Sequence, residues 1–479
     1  MSSKKTRIVA TVGPTSESKE TLYALAKAGV NVFRLNFSHG SHADHLERLT
    51  NIREINEEHG LNLAILQDLQ GPKIRIGLVA EKDGVLIESG KKLILSNTEV
   101  LGTAEKVSTP YDGMYNDVKI GDRVLMDDGK LEVLVTGIDG TDVITEVIYG
   151  GLLKSKKGVN LPNTRVSMPS VTQKDWEDLD FGLENNVEWI ALSFVRTADE
   201  ITKVKEYIAS KGKFARVVAK IEKPEAIVNI DEIIEATDGI MVARGDLGVE
   251  LPAEEVPMIQ KMIVEKCNRA GKPVIVATQM LESMIESPRA TRAELNDVAN
   301  SVLDGADAVM LSAETASGKY PLLAVESMTR TIEKVEANSK TIYFRHHAAV
   351  NDSPGTYKLN DNVVMSACRL ARDTQAAAII GITRSGYTSF RLSHHRPKAN
   401  LLIFTSNRML MNQLALYWGT KVFYYDRDQG VSTDDLIEDI KTFLVEKGEL
   451  QKGDVFINTL SMPVSRQRKT NTVKLSVVE

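Results

Sequence analysis

Cysteine is nearly absent from this chain: Cys267 and Cys368 are the two thiols among 479 residues. So few thiols exclude a disulfide framework and suit a reducing compartment. Long apolar runs are also missing. No stretch of about 18 apolar residues occurs, so no membrane-spanning helix is expected. The opening Met1-Ser2-Ser3-Lys4-Lys5-Thr6-Arg7 leads straight into a strand-like run without the apolar segment of a secretion signal. A positive charge excess is absent as well. The formal net charge of −6 argues against a general nucleic-acid or anionic-membrane binder, while leaving room for a local basic pocket. Neither an internal repeat nor a low-complexity segment interrupts the chain. What remains is an ordinary globular composition, 42% hydrophobic and 26% charged. The length exceeds what one core accommodates and points to about two to four domains. A cytoplasmic, enzyme-like protein is expected.

Three apolar runs that break into polar residues at their C-terminal ends carry the most information. They are Val217-Val218-Ala219-Lys220-Ile221-Glu222, Ile240-Met241-Val242-Ala243-Arg244-Gly245-Asp246 and Val274-Ile275-Val276-Ala277-Thr278-Gln279. Their separation is roughly 25–30 residues, the length of one strand–helix–strand unit. With these three, the expected strands are Arg7–Val12, Val30–Asn36, Leu63–Asp68, Trp189–Phe194, Arg216–Glu222, Gly239–Ala243, Pro273–Thr278 and Ala308–Ser312. Helical patterns separate most of them: Ser18–Ala28, Ala43–Glu58, Ala198–Ser210, Glu255–Ala270 and Arg292–Leu303. Eight strands alternating with helices predict an α/β fold, a closed (β/α)8 TIM barrel.

The alternation fails after the third strand. Short β-type runs at Lys73–Ile76, Lys92–Leu95, Arg123–Met126, Leu131–Val135 and Val143–Tyr149 are punctuated by turns such as Asp127-Asp128-Gly129. Residues 71–167 therefore read as a small β-barrel lid domain inserted into a catalytic barrel made of 1–70 and 168–344, with Pro72 and Pro169 as hinges. A polar linker from Arg345 to Tyr357 precedes a smaller open-sheet α/β domain at 345–479. Its expected elements are helix Asn362–Thr374, strand Ala377–Ile382, helix Thr388–His394 and strand Asn400–Thr405.

A parallel barrel gathers its strand ends on one face. Lys220, Glu222, Asp246 and Thr278 would meet there. Lys220 and Glu222 are two apart, hence on one side of the strand. Two carboxylates suit a divalent cation that keeps other positions for substrate and water. A lysine beside them suits a transferring phosphoryl group. A plain Lys220–Glu222 ion pair remains the alternative. Arg34, with Asn36 at the end of the second strand, is a candidate fork for a phosphate or carboxylate, or an ordinary salt bridge. The turn at Gly245-Asp246 offers backbone N–H groups to an anion or is a simple βα turn. Thr278 either handles a proton or bonds to backbone. Ser193 is placed to orient substrate or water; Glu314 reads as structural. His39, His42 and His45 read as a solvated helix start rather than a metal cluster.

The residues around these positions resemble the pyruvate kinase family. The resemblance lies in Val217–Ile227, Arg34-Leu35-Asn36-Phe37-Ser38-His39-Gly40, Met241–Gly248, Ala277–Met284 and Lys156-Lys157-Gly158-Val159-Asn160-Leu161-Pro162, and runs from Lys5 over essentially the whole chain. It implies phosphoryl transfer from phosphoenolpyruvate to ADP in glycolysis, through an enolate that is then protonated. Lys220, Thr278 and Arg34 are then catalytic. Arg34, Lys220, Gly245, Asp246, Thr278 and Ser193 contact the first substrate. Asn36, His39, Arg75 and Lys157 face the nucleotide. Glu222 and Asp246 hold Mg²⁺ (or Mn²⁺). The family is commonly a cytosolic homotetramer.

One departure stands out. Relatives hold K⁺ with residues matching Asn36, Ser38 and Asp68 and the carbonyl of the next residue, here Leu69. Lys73 occupies the place of a nearby glutamate. An ammonium is a compact monovalent cation, so Lys73 is expected to replace K⁺ and remove the requirement for it; a surface lysine beside an intact K⁺ site is the competing reading. The loop Thr383-Arg384-Ser385-Gly386-Tyr387-Thr388 reads as a phosphate cradle for a phosphorylated allosteric effector, or as a plain βα turn. Tyr387 stands where a Walker A loop needs lysine. The segment Met462–Lys469, with Arg466, Arg468 and Lys469, is basic. Two other readings stay open: a metal-dependent aldolase or lyase on the same barrel, and a silent metabolite sensor built on the last domain.

Overall fold

Parallel strands buried on both faces need continuous apolar sequence, and that requirement locates the barrel. The computed structural model describes residues 4–162, 164, 166–339, 341–343, 357–426, 432–462 and 469–479, with the side chains of 357 and 358 left out of the description. The chain opens with β1 (Arg7–Thr11), β2 (Val32–Asn36) and β3 (Ala64–Asp68). Helix Lys19–Ala28 and helix His42–His59 connect them. The Ser41–Asp44 capping box that starts the second helix satisfies N–H groups that a helix leaves free.

The inserted β unit follows. It contains β4 (Val85–Ile87), β5 (Lys92–Ser96), β6 (Lys106–Ser108), β7 (Arg123–Met126), β8 (Leu131–Asp139), β9 (Asp142–Tyr149), β10 (Gly151–Leu153) and β11 (Val159–Asn160). They form a six-stranded sheet in the order β11-β7-β8-β9-β5-β6 and a two-stranded ribbon, β10-β4. This unit has its own core, including Ile74, Leu93, Val124, Val133 and Val147. The strand expected at Lys73–Ile76 does not form. Pro72 has no N–H to give, Lys73 N turns back to Gly71 O at 2.8 Å, and Arg75 makes a single bridge to Gly158.

The barrel resumes with β12 (Trp189–Leu192), β13 (Arg216–Ile221), β14 (Gly239–Ala243), β15 (Val274–Ala277) and β16 (Ala308–Leu311). The order β1-β16-β15-β14-β13-β12-β3-β2 closes the ring, every pair parallel. Several strands stop one or two residues short of expectation: Ser193, Phe194, Glu222, Thr278 and Ser312 lie just beyond them. The cause is local. Phe194 and Thr278 have φ of 55° and 70°, which no strand tolerates. Side chains of alternate parity fill the ring, such as Val9, Val32, Leu66, Val218, Met241 and Ile275; the others, including Ile8, Ala10, Phe33 and Ile65, pack under the helices.

The last domain holds β17 (Ala378–Ile382), β18 (Asn400–Thr405), β19 (Thr420–Tyr424), β20 (Val455–Leu460) and β21 (Thr472–Val477). They form an open sheet, β19-β18-β17-β20-β21, with only β21 antiparallel. Its first helix runs Tyr357–Asp373, starting before the expected Asn362. The expected linker up to residue 356, and Arg466 and Arg468, lie outside the described residues. The domain docks under the barrel. Trp189 Nε1 donates to Gln413 O at 3.2 Å, and Arg7 Nε to Tyr417 O at 2.7 Å. Arg396 is buried against the Trp418 ring, 4.9 Å from its centroid. Its Nη2 donates to Gly305 O at 2.7 Å and lies 3.1 Å from Asp307 Oδ1.

Breaking one partner of such a buried pair leaves the other charge uncompensated. Arg396→Ala is therefore expected to cost about 3–5 kcal/mol and to lower the thermal melting midpoint. Calorimetry of the wild type and of this variant checks this.

Candidate active site

Four charged side chains from three strands of the barrel converge at its C-terminal mouth. Asp68, the last residue of β3, receives Arg34 Nε of β2 on Oδ2 at 2.6 Å. Its Oδ1 lies 3.2 Å from Lys220 Nζ of β13. Lys220 Nζ is also 2.9 Å from Glu222 Oε1 and donates to Ser193 Oγ at 2.8 Å. Arg34 Nη1 donates to Thr11 Oγ1 at 2.9 Å. The second oxygen of Glu222 accepts Phe194 N at 2.8 Å. The lysine is thus held by three oxygens on one side. All four side chains are buried or nearly so, with Asp68 and Glu222 only 1% exposed.

Burial opposes the charge on Lys220, but Asp68 and Glu222 outweigh it and push its pKa above the ordinary lysine value. Burial likewise acts to raise Asp68, yet Lys220 and Arg34 win and hold its carboxyl below the usual range. Glu222 goes the other way. Burial raises it and the Asp246 carboxylate adds to that, with Lys220 partly offsetting both. One carboxylate is therefore firmly ionised, while the other is strained in its charged form by a second acid nearby.

Asp246 lies in the first turn of helix Arg244–Glu250, which starts directly at the end of β14. Lys73 Nζ is 4.0 Å from its Oδ1. Gly245 N donates to Thr278 Oγ1 at 2.7 Å. A Cβ on Gly245 would come 3.3 Å from that hydroxyl, which accounts for glycine at this close approach. Thr278 and Gln279 have φ of 70° and 55°, an unusual backbone for a β-branched residue. Arg244 holds the turn in place: Nη2 donates to Thr278 O at 2.7 Å and Nη1 to Asp297 Oδ1 at 2.6 Å.

The remaining expected residues surround this centre. Asn36 Oδ1 accepts Ser38 N at 3.2 Å. His39 has its pKa lowered, by burial first and then by Arg75, Lys73 and Arg34, so three cations surround it. Arg75 Nη1 donates to Lys156 O at 3.1 Å, and Lys157 Nζ pairs with Asp127 Oδ1 at 2.6 Å, both within the inserted unit. Ser193 Oγ donates to Leu69 O at 2.7 Å, so it steadies Lys220 from the protein side. Glu314 accepts Leu281 N and Ser312 N and is structural. His45 stacks on Phe37 at 4.0 Å and bonds to His39 O, while His42 pairs with Asp178. Thr383, Arg384, Ser385, Gly386 and Thr388 sit apart, after β17. Gly386, φ 86°, donates its N–H to Thr383 Oγ1 at 2.9 Å. Thr388 Oγ1 lies 2.6 Å from Thr470 Oγ1.

Thr11, Arg244 and the bridging role of Asp68 were not read from the sequence. Thr11 and Asp68 are polar endings of barrel strands, so the rule that singled out Glu222 also finds them. Arg244 needed the fold, because its partners lie just past β15 and on a distant helix.

The donor set fits a divalent cation that keeps substrate and water positions. Among the described residues no group of three or more His, Cys, Asp or Glu suits a metal. The mouth instead offers two neighbouring carboxylates, Glu222 and Asp246, and two carboxylates are what magnesium commonly takes from a protein.

The depressed pKa of Asp68 contributes stability that is complete above its ordinary value of 3.8 and is lost as pH falls through its native value. The raised pKa of Lys220 contributes stability present below 10.5 and lost as pH rises through its native value. Asp68→Asn is expected to flatten the acid limb of the stability curve below about pH 4 and to weaken the protein at pH 7. Denaturant unfolding across the pH range measures both effects.

Comparison with known proteins identifies the family. The family model for "Pyruvate kinase, barrel domain" matches residues 3–325, and that for "Pyruvate kinase, alpha/beta domain" matches 361–476. A pyruvate kinase of Geobacillus stearothermophilus is 43% identical over 478 residues, 99% of this chain and 80% of its own. One from Staphylococcus aureus strain MRSA252 is 42% identical over 480 residues, with 99% and 80% covered. The crystal structure of a pyruvate kinase from Cryptosporidium parvum superposes with a TM-score of 0.92 at 35% identity, covering 100% of this chain and 97% of the other. The chain belongs to the pyruvate kinase family and is a phosphotransferase.

Proposed function

We propose that the protein transfers the phosphoryl group of phosphoenolpyruvate to ADP with Mg²⁺ (or Mn²⁺), giving pyruvate and ATP as the closing step of glycolysis. The observation that carries this reading is Lys220, a buried ammonium anchored by Asp68, Glu222 and Ser193 with Arg34 alongside. Phosphoryl transfer requires little covalent work from the protein and much fixed positive charge. Lys220 and Arg34 supply that charge from a water-poor site, held in place before the reaction begins. Glu222 and Asp246 would hold the divalent ion, which when bound adds positive charge to the phosphoryl oxygens and the enolate oxygen.

The N–H groups of the Gly245-Asp246 turn receive the substrate carboxylate. Thr278, whose hydroxyl already meets Gly245 N, would serve the protonation of the enolate. Asn36, His39, Arg75 and Lys157 face the nucleotide. Residues 71–167 form the lid over a barrel of 1–70 and 168–344, and exclusion of water there protects the phosphate from hydrolysis. Residues 345–479 form a regulatory domain that takes a phosphorylated effector at Thr383, Arg384, Ser385, Gly386 and Thr388, where Arg384 and Ser385 are exposed. The enzyme works in the cytoplasm as a homotetramer. Among the described residues no helix is long and apolar enough to cross a membrane.

Potassium is not needed. Acceptors of the expected monovalent site already receive protein donors: Asn36 Oδ1 from Ser38, Asp68 from Arg34 and Lys220, Leu69 O from Ser193. Lys73 brings its own ammonium to the mouth, toward Asp246.

A coupled pyruvate-release assay is expected to show turnover only with ADP and a divalent cation together; turnover without ADP returns the aldolase or lyase reading. Lys220→Gln should lower kcat by about 10³-fold, the scale of losing a fixed electrostatic stabiliser. Replacing K⁺ by tetramethylammonium should leave the wild-type rate unchanged, and Lys73→Glu should make the rate depend on K⁺. Arg384→Ala should remove activation by phosphorylated metabolites while leaving the basal rate; unchanged activation rules the effector site out.

A further inference from the structure

Helix Arg244–Glu250 begins near Asp246 and ends on Glu250. The two acids are four apart and so share a face of the helix. The Glu250 side chain is only 1% exposed. Its Oε1 accepts Asn160 Nδ2 of β11 at 2.9 Å and Lys223 Nζ at 2.7 Å. Lys223 directly follows Glu222. One carboxylate oxygen therefore ties three elements together: the inserted unit, the segment carrying Glu222, and the helix carrying Asp246. The inserted unit also approaches the same helix near Gly129, where an added Cβ would meet Val249 Cγ1 at 3.9 Å.

The junction is incompletely packed. Glu250 Oε2 is buried without a hydrogen-bond partner. Leaving a buried acceptor unmatched is unfavourable, so a bland structural role would favour a fully matched or apolar residue here. Asn160 and Lys223 also line a cavity of about 30 Å³ between the inserted unit and the barrel, with Lys73, Phe194 and Arg196 beside them. A free oxygen on Glu250 and a gap beside its two partners describe an interface with room to change its spacing.

We propose that Glu250 is a positioning residue that couples the lid to the metal ligands. Asn160 reports the position of the lid to Glu250. Glu250 passes it to Asp246 through the helix and to Glu222 through Lys223. Linkage makes the coupling reciprocal: metal binding tightens the lid by the same factor that lid docking tightens metal binding. This rests on the reading of Glu222 and Asp246 as metal ligands and of 71–167 as the lid.

The test uses the full chain and Mn²⁺ alone, without substrates, followed by electron paramagnetic resonance of free Mn²⁺ and by amide exchange of the Val159-Asn160-Leu161 segment. In the wild type, Mn²⁺ should slow that exchange. Asn160→Ala and Glu250→Gln should each weaken Mn²⁺ binding about fivefold or more and abolish the Mn²⁺-induced protection. The double variant should be no worse than Glu250→Gln, with melting midpoints of Asn160→Ala and wild type alike. Unchanged Mn²⁺ affinity and protection in Asn160→Ala, or effects that multiply in the double variant, overturn the coupling. Glu222→Gln separates the two failures. If it leaves Mn²⁺ affinity intact, the metal-ligand reading fails and the coupling falls with it. If it abolishes binding while Asn160→Ala does nothing, the coupling alone fails.

Discussion

A buried ammonium needs negative partners, and the position of Lys220 follows from that need. Asp68 and Glu222 stand within 3.2 Å of it, and Ser193 takes a third N–H. With Arg34 on the other oxygen of Asp68, two cations and two carboxylates share a nearly water-free space. Removing any one leaves an unmatched charge where the desolvation cost is highest. The same arrangement holds positive charge in place before any ligand arrives, and preorganised charge is what a phosphoryl transfer site requires. Stability and function are bound to one set of contacts here.

The barrel makes this set possible because it is rigid where the chemistry sits. The residues just past its strands adopt conformations that a free chain avoids, with Phe194, Thr278 and Gln279 at positive φ. The surrounding packing holds them: Glu222 accepts Phe194 N, and Arg244 secures the Thr278 carbonyl. Beneath the ring, the apolar interior runs on through Trp189 into the last domain, where Arg396 and Asp307 close the contact. Above it, the inserted unit has a separate core and meets the barrel through a few polar contacts. A tight lower interface and a sparse upper one suit a fixed base and a movable cover.

Much of this was legible from residue order. Apolar runs near eight-strand spacing announced the barrel, and their polar ends named Lys220, Glu222, Asp246 and Thr278. The interruption after β3 disclosed the inserted unit, since turn residues replace helical periodicity there. The boundaries were less legible. Ser193, Phe194 and Thr278 have strand-like neighbours, and only the backbone reversal beyond β12 and β15 ends the strands early. Lys73–Ile76 has β-type composition, but Pro72 and the turn back to Gly71 keep it out of the ladder.

By itself the sequence determined which residue types end each strand, because periodicity and burial are local properties written in order along the chain. It determined that Lys220 and Glu222 share a side, because strand geometry is fixed at two residues per repeat. Only the tertiary structure decided that Asp68 joins Arg34 to Lys220, that Arg244 steadies Thr278, and that Glu250 meets Asn160 and Lys223. Those contacts link residues 27 to 152 positions apart. Closure of the ring and docking of the inserted unit create them, and no local pattern encodes which distant partner a charge will find.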